Sequence, residues 1–216
     1  MDPSGVAEFS SPSEDCPLCP RLRAFRETNR DQFPDWHNAP VPSFGDISAN
    51  LLIVGLAPGL KGANRTGRPF TGDFAGDLLY KTLLSFGLAT GHYYAEADDD
   101  LNLVNCRITN AVRCVPPRNK PAAIEIATCQ KFLSQEIFNH KSLKVILALG
   151  TVAHGAVLSV FGKSKSRTPF RHGAIHRLNS SFVLVDSYHC SRLNTNTGRL
   201  TQEMFEIVFR SLVKFL

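Results

Sequence analysis

The sequence predicts an α/β fold of three layers, with helices on both faces of a central, mostly parallel four-stranded sheet. Two observations carry this. Short apolar runs alternate along the chain with amphipathic segments of helical period. Strands separated by helices pair side by side only through crossovers, which makes the sheet parallel and covers both its faces. The length of 216 residues suits one such domain and one core.

Residues 1–15 are polar and rich in Ser and Pro, and are expected to form a poorly ordered tail, leaving 16–216 as the domain. A short basic helix is expected within 17–30. The proline-rich segment 32–45 reads as loop, pinned to the body by Trp36. The first buried strand spans 51–54. An amphipathic helix over 74–86 turns Leu78, Leu79, Leu83 and Leu84 inward, and a second strand covers 102–109. Pro121 suits a first helical turn, where its missing N–H costs nothing, and opens a helix to about residue 137. A third strand (145–149), a helix (152–161) and a fourth strand (182–185) follow. The closing helix, 201–216, aligns Met204, Phe205, Val208 and Leu212 on one face. There is no internal repeat. Open α/β sheets bind ligands outside the carboxyl ends of their strands, so loops 55–73, 110–120, 150–154 and 186–199 should share one mouth.

A net charge of +5 and a pI near 9.0 favour a polyanionic partner. No run reaches the ~20 apolar residues of a membrane helix. The first residues lack a basic region before an apolar core, so no secretory signal is read and a cytoplasmic location is expected. With no dimerisation signal, a monomer is expected.

The first loop, GLAPGLKGANRTGRPFTGD (55–73), combines glycines that admit a ligand close to the backbone, three basic residues, Phe70 and Asp73. It lacks G-x-G-x-x-G, and Pro58 interrupts the turn that would open a helix on pyrophosphate. FGKS at 161–164 ends like a P-loop, but Val157 stands where glycine is required.

Six cysteines do not make a dense disulfide framework in this length. Cys16 and Cys19 form a C-x2-C knuckle, while Cys114 and Cys129 are separated by fourteen intervening residues. Four such thiolates could hold zinc or a [4Fe–4S] cluster, or be a chance knuckle with two buried thiols. Cys106, within a strand, reads as core. Cys190 abuts His189, but neighbours in extended chain face opposite ways and rarely form a nucleophilic pair.

Together the loops resemble family 5, the b-type branch, of the uracil-DNA glycosylase superfamily. The resemblance rests on G-L-A-P-G and G-x-N-R-T-G-R-P-F-T-G-D within 55–73, on ITNAVRCVPP at 108–117, on YHCSRLNTNTGRLT at 188–201, and on the order of the four cysteines. It implies a three-layer α/β/α fold and a structural [4Fe–4S] cluster on Cys16, Cys19, Cys114 and Cys129, with zinc as the alternative. It also implies hydrolysis of the N-glycosidic bond of a deaminated base flipped out of DNA, leaving an abasic site. Uracil is the expected base, with hypoxanthine, xanthine or modified uracils beside it. A tight uracil-DNA binder of low turnover and an enzyme acting on free nucleotides are the competing readings.

Under this resemblance Phe70 stacks on the extruded base, and Asn110 pairs with its edge through an amide that both donates and accepts. His189 donates to uracil O2, with backbone around Gly55, Ala57, Pro58 and Gly59 in the same pocket. Relatives carry a carboxylate in the first loop where this chain has Leu56 and Ala57, which moves attention to Asp73 as water activator. Asp is also a preferred helix N-cap, and the two roles are compatible. The superfamily's third loop usually reads H-P-S, and here it is His189-Cys190-Ser191. Ser191, Arg192, Asn194 and Thr195 then read as DNA contacts and Leu193 as the wedge that fills the vacated stack. Arg65, Arg68 and the run KSKSRTPFRHGAIHR (163–177) add further backbone contacts.

Overall fold

A computed structural model describes residues 11–216 of the protein. Of the tail expected to be poorly ordered, residues 1–10 lie outside the described residues. Residues 11–15 make specific contacts: Asp15 pairs with Arg30 at 2.6 Å, and the Cys16 amide donates to the Ser13 carbonyl. Helix α1 (Pro20–Gln32) follows, and Trp36 stacks on Phe33 just beyond it.

The sheet runs β1 (Leu51–Gly55), β4 (Cys106–Asn110), β5 (Val145–Leu149), β7 (Val183–Ser187) and β6 (Ile175–Arg177), in the spatial order β4-β1-β5-β7-β6. The four strands expected from the sequence are parallel. The fifth, β6, is an antiparallel edge strand inside the basic run, three residues too short to declare itself by alternation. The expected strand 102–109 is divided. Asn105 adopts φ +50°, which separates β3 (Asn102–Leu103) from β4; β3 pairs instead with β2 (Ala89–Thr90).

Each of the four parallel strands is buried on both faces, and its alternate residues feed two cores. Leu51, Ile53, Val145, Leu147 and Val185 pack with helices α3 (Phe74–Ser85) and α7 (Gln202–Leu212). Leu52, Val54, Ile146, Ala148 and Leu184 pack with α4 (Ala123–Phe138) and α5 (Thr151–Val160). On α7 the fully buried side chains are Phe205, Val208, Phe209 and Leu212, each worth roughly 1.5–3 kcal/mol of burial, while Met204 is half-buried. Pro121 stands two residues before α4 and not in its first turn: Ala122 occupies the N-cap, and the Glu125 carboxylate reaches back to the Ala122 amide at 2.7 Å. Two short helices, α2 (Ala63–Thr66) and α6 (Arg192–Asn196), lie in the first and last of the four loops.

Candidate active site and cysteine cluster

Parallel register brings the carboxyl ends of β1 and β4 level, with Gly55 opposite Asn110. A Cβ at Gly55 would stand 2.3 Å from Asn110 Oδ1 and 2.6 Å from Phe70 Cζ. Glycine there is what allows the amide and the phenyl ring to meet over the strand end. Asn110 Oδ1 is buried and has no hydrogen-bond partner. Phe70 holds φ +55°, uncommon for a bulky residue, and its carbonyl accepts from the Tyr93 hydroxyl. The neighbouring Pro69 carbonyl accepts from Tyr80 at 2.5 Å. Phe70 stacks on His189, with centroids 5.7 Å apart.

His189 follows β7 and opens onto a cavity of about 760 Å³, lined also by Leu56, Ala57, Gly59, Asp73, Ser191, Arg192, Leu193 and Asn194. Pro58, between two of these, is buried. His189 Nδ1 is buried without a partner, and burial pushes the imidazole pKa down to about 4, so the ring is neutral at pH 7. Asn194 holds the loop by donating to the His189 carbonyl at 2.8 Å. Cys190, in the usual proline position, is fully buried in the core behind it.

Asp73 is the N-cap of α3 and accepts from the Ala75 amide through Oδ1 at 3.1 Å. Its Oδ2 lies where a Cβ on Gly59 or Gly62 would intrude, at 2.9 and 2.5 Å. One oxygen caps the helix while the other faces the glycine loop, so the cap is compatible with a second role for this carboxylate. Burial raises its pKa, opposed by the amides of Ala75 and Gly76. A carboxylate of raised pKa is a stronger base than one at the ordinary value.

One expected DNA contact, Arg68, is corrected, and another, Arg65, carries an ion pair on the protein itself. Arg68 is buried, donates to both oxygens of Asp99 at 2.6 and 2.8 Å, and lies over the rings of Phe44, Tyr80 and Tyr93. Its charge is spent inside the protein, since a buried guanidinium requires a buried counter-charge. Arg65 pairs with Glu96 at 3.1 and 3.2 Å. Both acids belong to segment 92–101, whose sequence gives no sign of these partners. Leu193, by contrast, is 73% exposed at the cavity rim, and Arg192 packs over Phe74. The Thr195 hydroxyl bonds carbonyls of its own helix. The sequence reading missed Tyr80 and Tyr93, which fix the Phe70 loop, and Gly62, which makes room for Asp73. Gly62 had a signal in the glycine spacing of the first loop; the tyrosines had none.

The four cysteines converge from three places. Cys19 is the N-cap of α1, Cys16 precedes it, Cys114 follows β4 and Cys129 lies on α4. All four line one small cavity with Leu22, Val112 and Phe132. Arg26 is buried there and donates to Cys114 Sγ at 3.7 Å and to the Cys16 carbonyl at 3.1 Å. Four sulfurs about one apolar cavity beside a buried cation fit a group that binds thiolates and carries negative charge. Among the described residues, the potential ligands that close to within 4.8 Å of one another in groups of three or more are His154, His176 and Asp186 alone. Also among the described residues, no helix is long and apolar enough to cross a membrane.

Residues 42–213 match the family model of the uracil DNA glycosylase superfamily. A type-5 uracil-DNA glycosylase of Thermus thermophilus is 47% identical over 88% of this chain and 89% of its own. A type-5 enzyme of Pyrobaculum aerophilum is 39% identical over 94% and 90%. The type-4 uracil-DNA glycosylase of that organism is 34% identical over only 57% and 55%. With its parallel sheet, the glycine-cleared corner at Gly55 and the His189 loop at the strand ends, the chain belongs to the uracil DNA glycosylase superfamily and to its type-5 branch.

Proposed function

We infer that the protein is a monofunctional DNA glycosylase that hydrolyses the N-glycosidic bond of uracil in DNA as a step of repair. The observation that supports this most directly is the set of groups at one corner: an unpartnered Asn110 oxygen, an unpartnered His189 nitrogen and a half-buried Asp73 carboxylate of raised pKa. Buried polar atoms without partners are rare, and here both lie where a base edge would supply what they lack.

In this reading the extruded base stacks on Phe70 while Asn110 reads its edge. The C1′–N1 bond breaks, and the electron pair leaves with uracil as an anion steadied at O2 by an N–H of neutral His189. The oxygen of a water adds to C1′, and its proton passes to Asp73. Leu193 fills the place of the departed nucleotide, with Ser191, Arg192, Asn194 and Thr195 against the strand. Cys16, Cys19, Cys114 and Cys129 would hold a [4Fe–4S] cluster, which when bound would tie α1 to the body and stand as spectator to the reaction. Zinc on the same four thiolates is the alternative. A monomer in a reducing cytoplasm fits free thiols that serve as ligands.

End-labelled oligonucleotides bearing one uracil, hypoxanthine or xanthine, in single strands and in duplexes, test the activity. Incubation in EDTA and then alkali should break the uracil strand only after alkali. The Asp73→Asn protein should fold and cut at least about 100-fold more slowly, the range for loss of a general base. A fully active Asp73→Asn protein removes the carboxylate from the reaction. Retention of the uracil strand by an intact protein that never cuts it would favour the low-turnover binder.

The cluster has its own test. Cys129→Ala should abolish iron–sulfur absorption near the visible edge and lower Tm by on the order of 10 °C, since a group bound only by the folded state stabilises it. An unchanged spectrum and Tm would remove Cys129 from the ligand set.

A further inference from the structure

The run 163–177 is folded onto the protein by buried polar contacts that the excision chemistry does not use. Asp186, fully buried on β7, accepts from His154 Nδ1 at 2.7 Å and from His176 Nε2 at 3.0 Å. Backbone bonds join Gly173 and Ala174 to the same residue, and His154 Nε2 meets the Thr168 carbonyl at 2.9 Å. The segment is therefore clamped against the strand that leads to His189. It carries His172 to that place. The His172 ring stacks on Tyr188, with centroids 4.9 Å apart and planes 9° off parallel, and its Nδ1 accepts from the Tyr188 amide at 3.1 Å.

A working histidine is ordinarily oriented by a hydrogen bond at its second ring nitrogen. His189 Nδ1 has no partner within the protein, and among the described residues no hydrogen bond holds the ring at its other nitrogen, so its aim must come from the backbone that bears it. Three contacts fix that backbone: the Tyr188 amide on His172, the Tyr188 carbonyl on Ser187 Oγ at 2.9 Å, and the His189 carbonyl on Asn194 Nδ2. Ser187 and Asn194 belong to the same strand and loop as His189 and travel with it. His172 comes from a separate segment and provides an external reference.

We propose that His172 is a positioning residue for His189: its Nδ1 fixes the Tyr188 amide and thereby aims the imidazole at the departing base. This rests on the excision reading above. Only a ring unprotonated at Nδ1 can accept, and burial, which outweighs a backbone hydrogen bond at Met204, favours that neutral form.

Two replacements separate the acceptor from the stack. His172→Asn places an amide oxygen near the Nδ1 position and removes the ring; His172→Phe keeps a ring and removes the acceptor. Single-turnover excision over a range of enzyme concentrations separates the maximal rate from half-saturation. His172→Phe should lose about 10- to 100-fold in maximal rate with half-saturation within about twofold, while His172→Asn stays within about threefold of the parent, as expected for lost alignment. Amide exchange at Tyr188 reads the same bond without the reaction, and should be fast in the Phe variant and slow in the parent and the Asn variant. Parental rate or parental exchange in His172→Phe overturns the proposal, as does an equal loss in both variants. If the Phe variant does not fold, His172→Leu serves in its place. A parent that releases no uracil defeats the excision reading, while the exchange comparison still decides the role of His172.

Discussion

His189→Ala is expected to slow uracil excision at pH 7 by about 10²–10³-fold, the cost of removing one preorganised donor from a developing anion. Binding of the uracil strand should change far less, because the donor matters most once the bond is breaking. The same residue sets an acid limb of stability. With a folded pKa of about 4, below the ordinary histidine value near 6.5, His189 takes up its proton more readily in the unfolded chain. Its contribution is complete above pH 6.5 and is lost as pH falls toward 4, by up to about 3 kcal/mol. Denaturant unfolding at pH 7 and at pH 4.5 should show this loss in the parent and a smaller one in a His189→Phe protein. Equal losses would mean that His189 is not the titrating group. Parental excision by His189→Ala would place the donor elsewhere.

Gly55→Ala, one methyl at a strand end, should abolish practical activity while leaving the fold in place. The new Cβ would lie 2.3 Å from Asn110 Oδ1 and 2.6 Å from Phe70 Cζ, so both groups must retreat by about 1 Å to reach ordinary contact. A displacement of that size in a reacting site costs on the order of 100-fold, and here the base reader and the stacking ring move together. Overpacking of this kind destabilises by about 1–3 kcal/mol, which a core of this size withstands. Excision kinetics and a thermal melt on the same preparation check both halves. A near-parental rate would show that Asn110 and Phe70 do not need their present positions.

Much of the site was legible because its chemistry is concentrated in loops. The stretch 55–73 carries Gly55, Gly59, Phe70 and Asp73 within nineteen residues, and the 186–199 loop carries His189 and Leu193. The ion pairs of Arg65 and Arg68 were missed for the same reason: a basic side chain in a glycine-rich loop looks free until the partner is known. Their partners, Glu96 and Asp99, are both 31 residues away. The edge strand β6 was hidden in a basic run because three residues are too few for alternation to stand out. Asn105 divided a strand that hydrophobicity alone had read as continuous.

By itself the sequence determined the α/β alternation, the two-faced burial of four parallel strands and the loops at their carboxyl ends. Hydrophobic period and turn chemistry act over a few neighbouring residues, so they can be read in a line of text. The tertiary structure alone decided which charges neutralise each other, which glycine clears space for which side chain, and which histidine steadies another. Those are properties of pairs, Arg68 with Asp99, Gly55 with Asn110, His172 with Tyr188, whose members are separated along the chain and brought into contact only when the sheet closes.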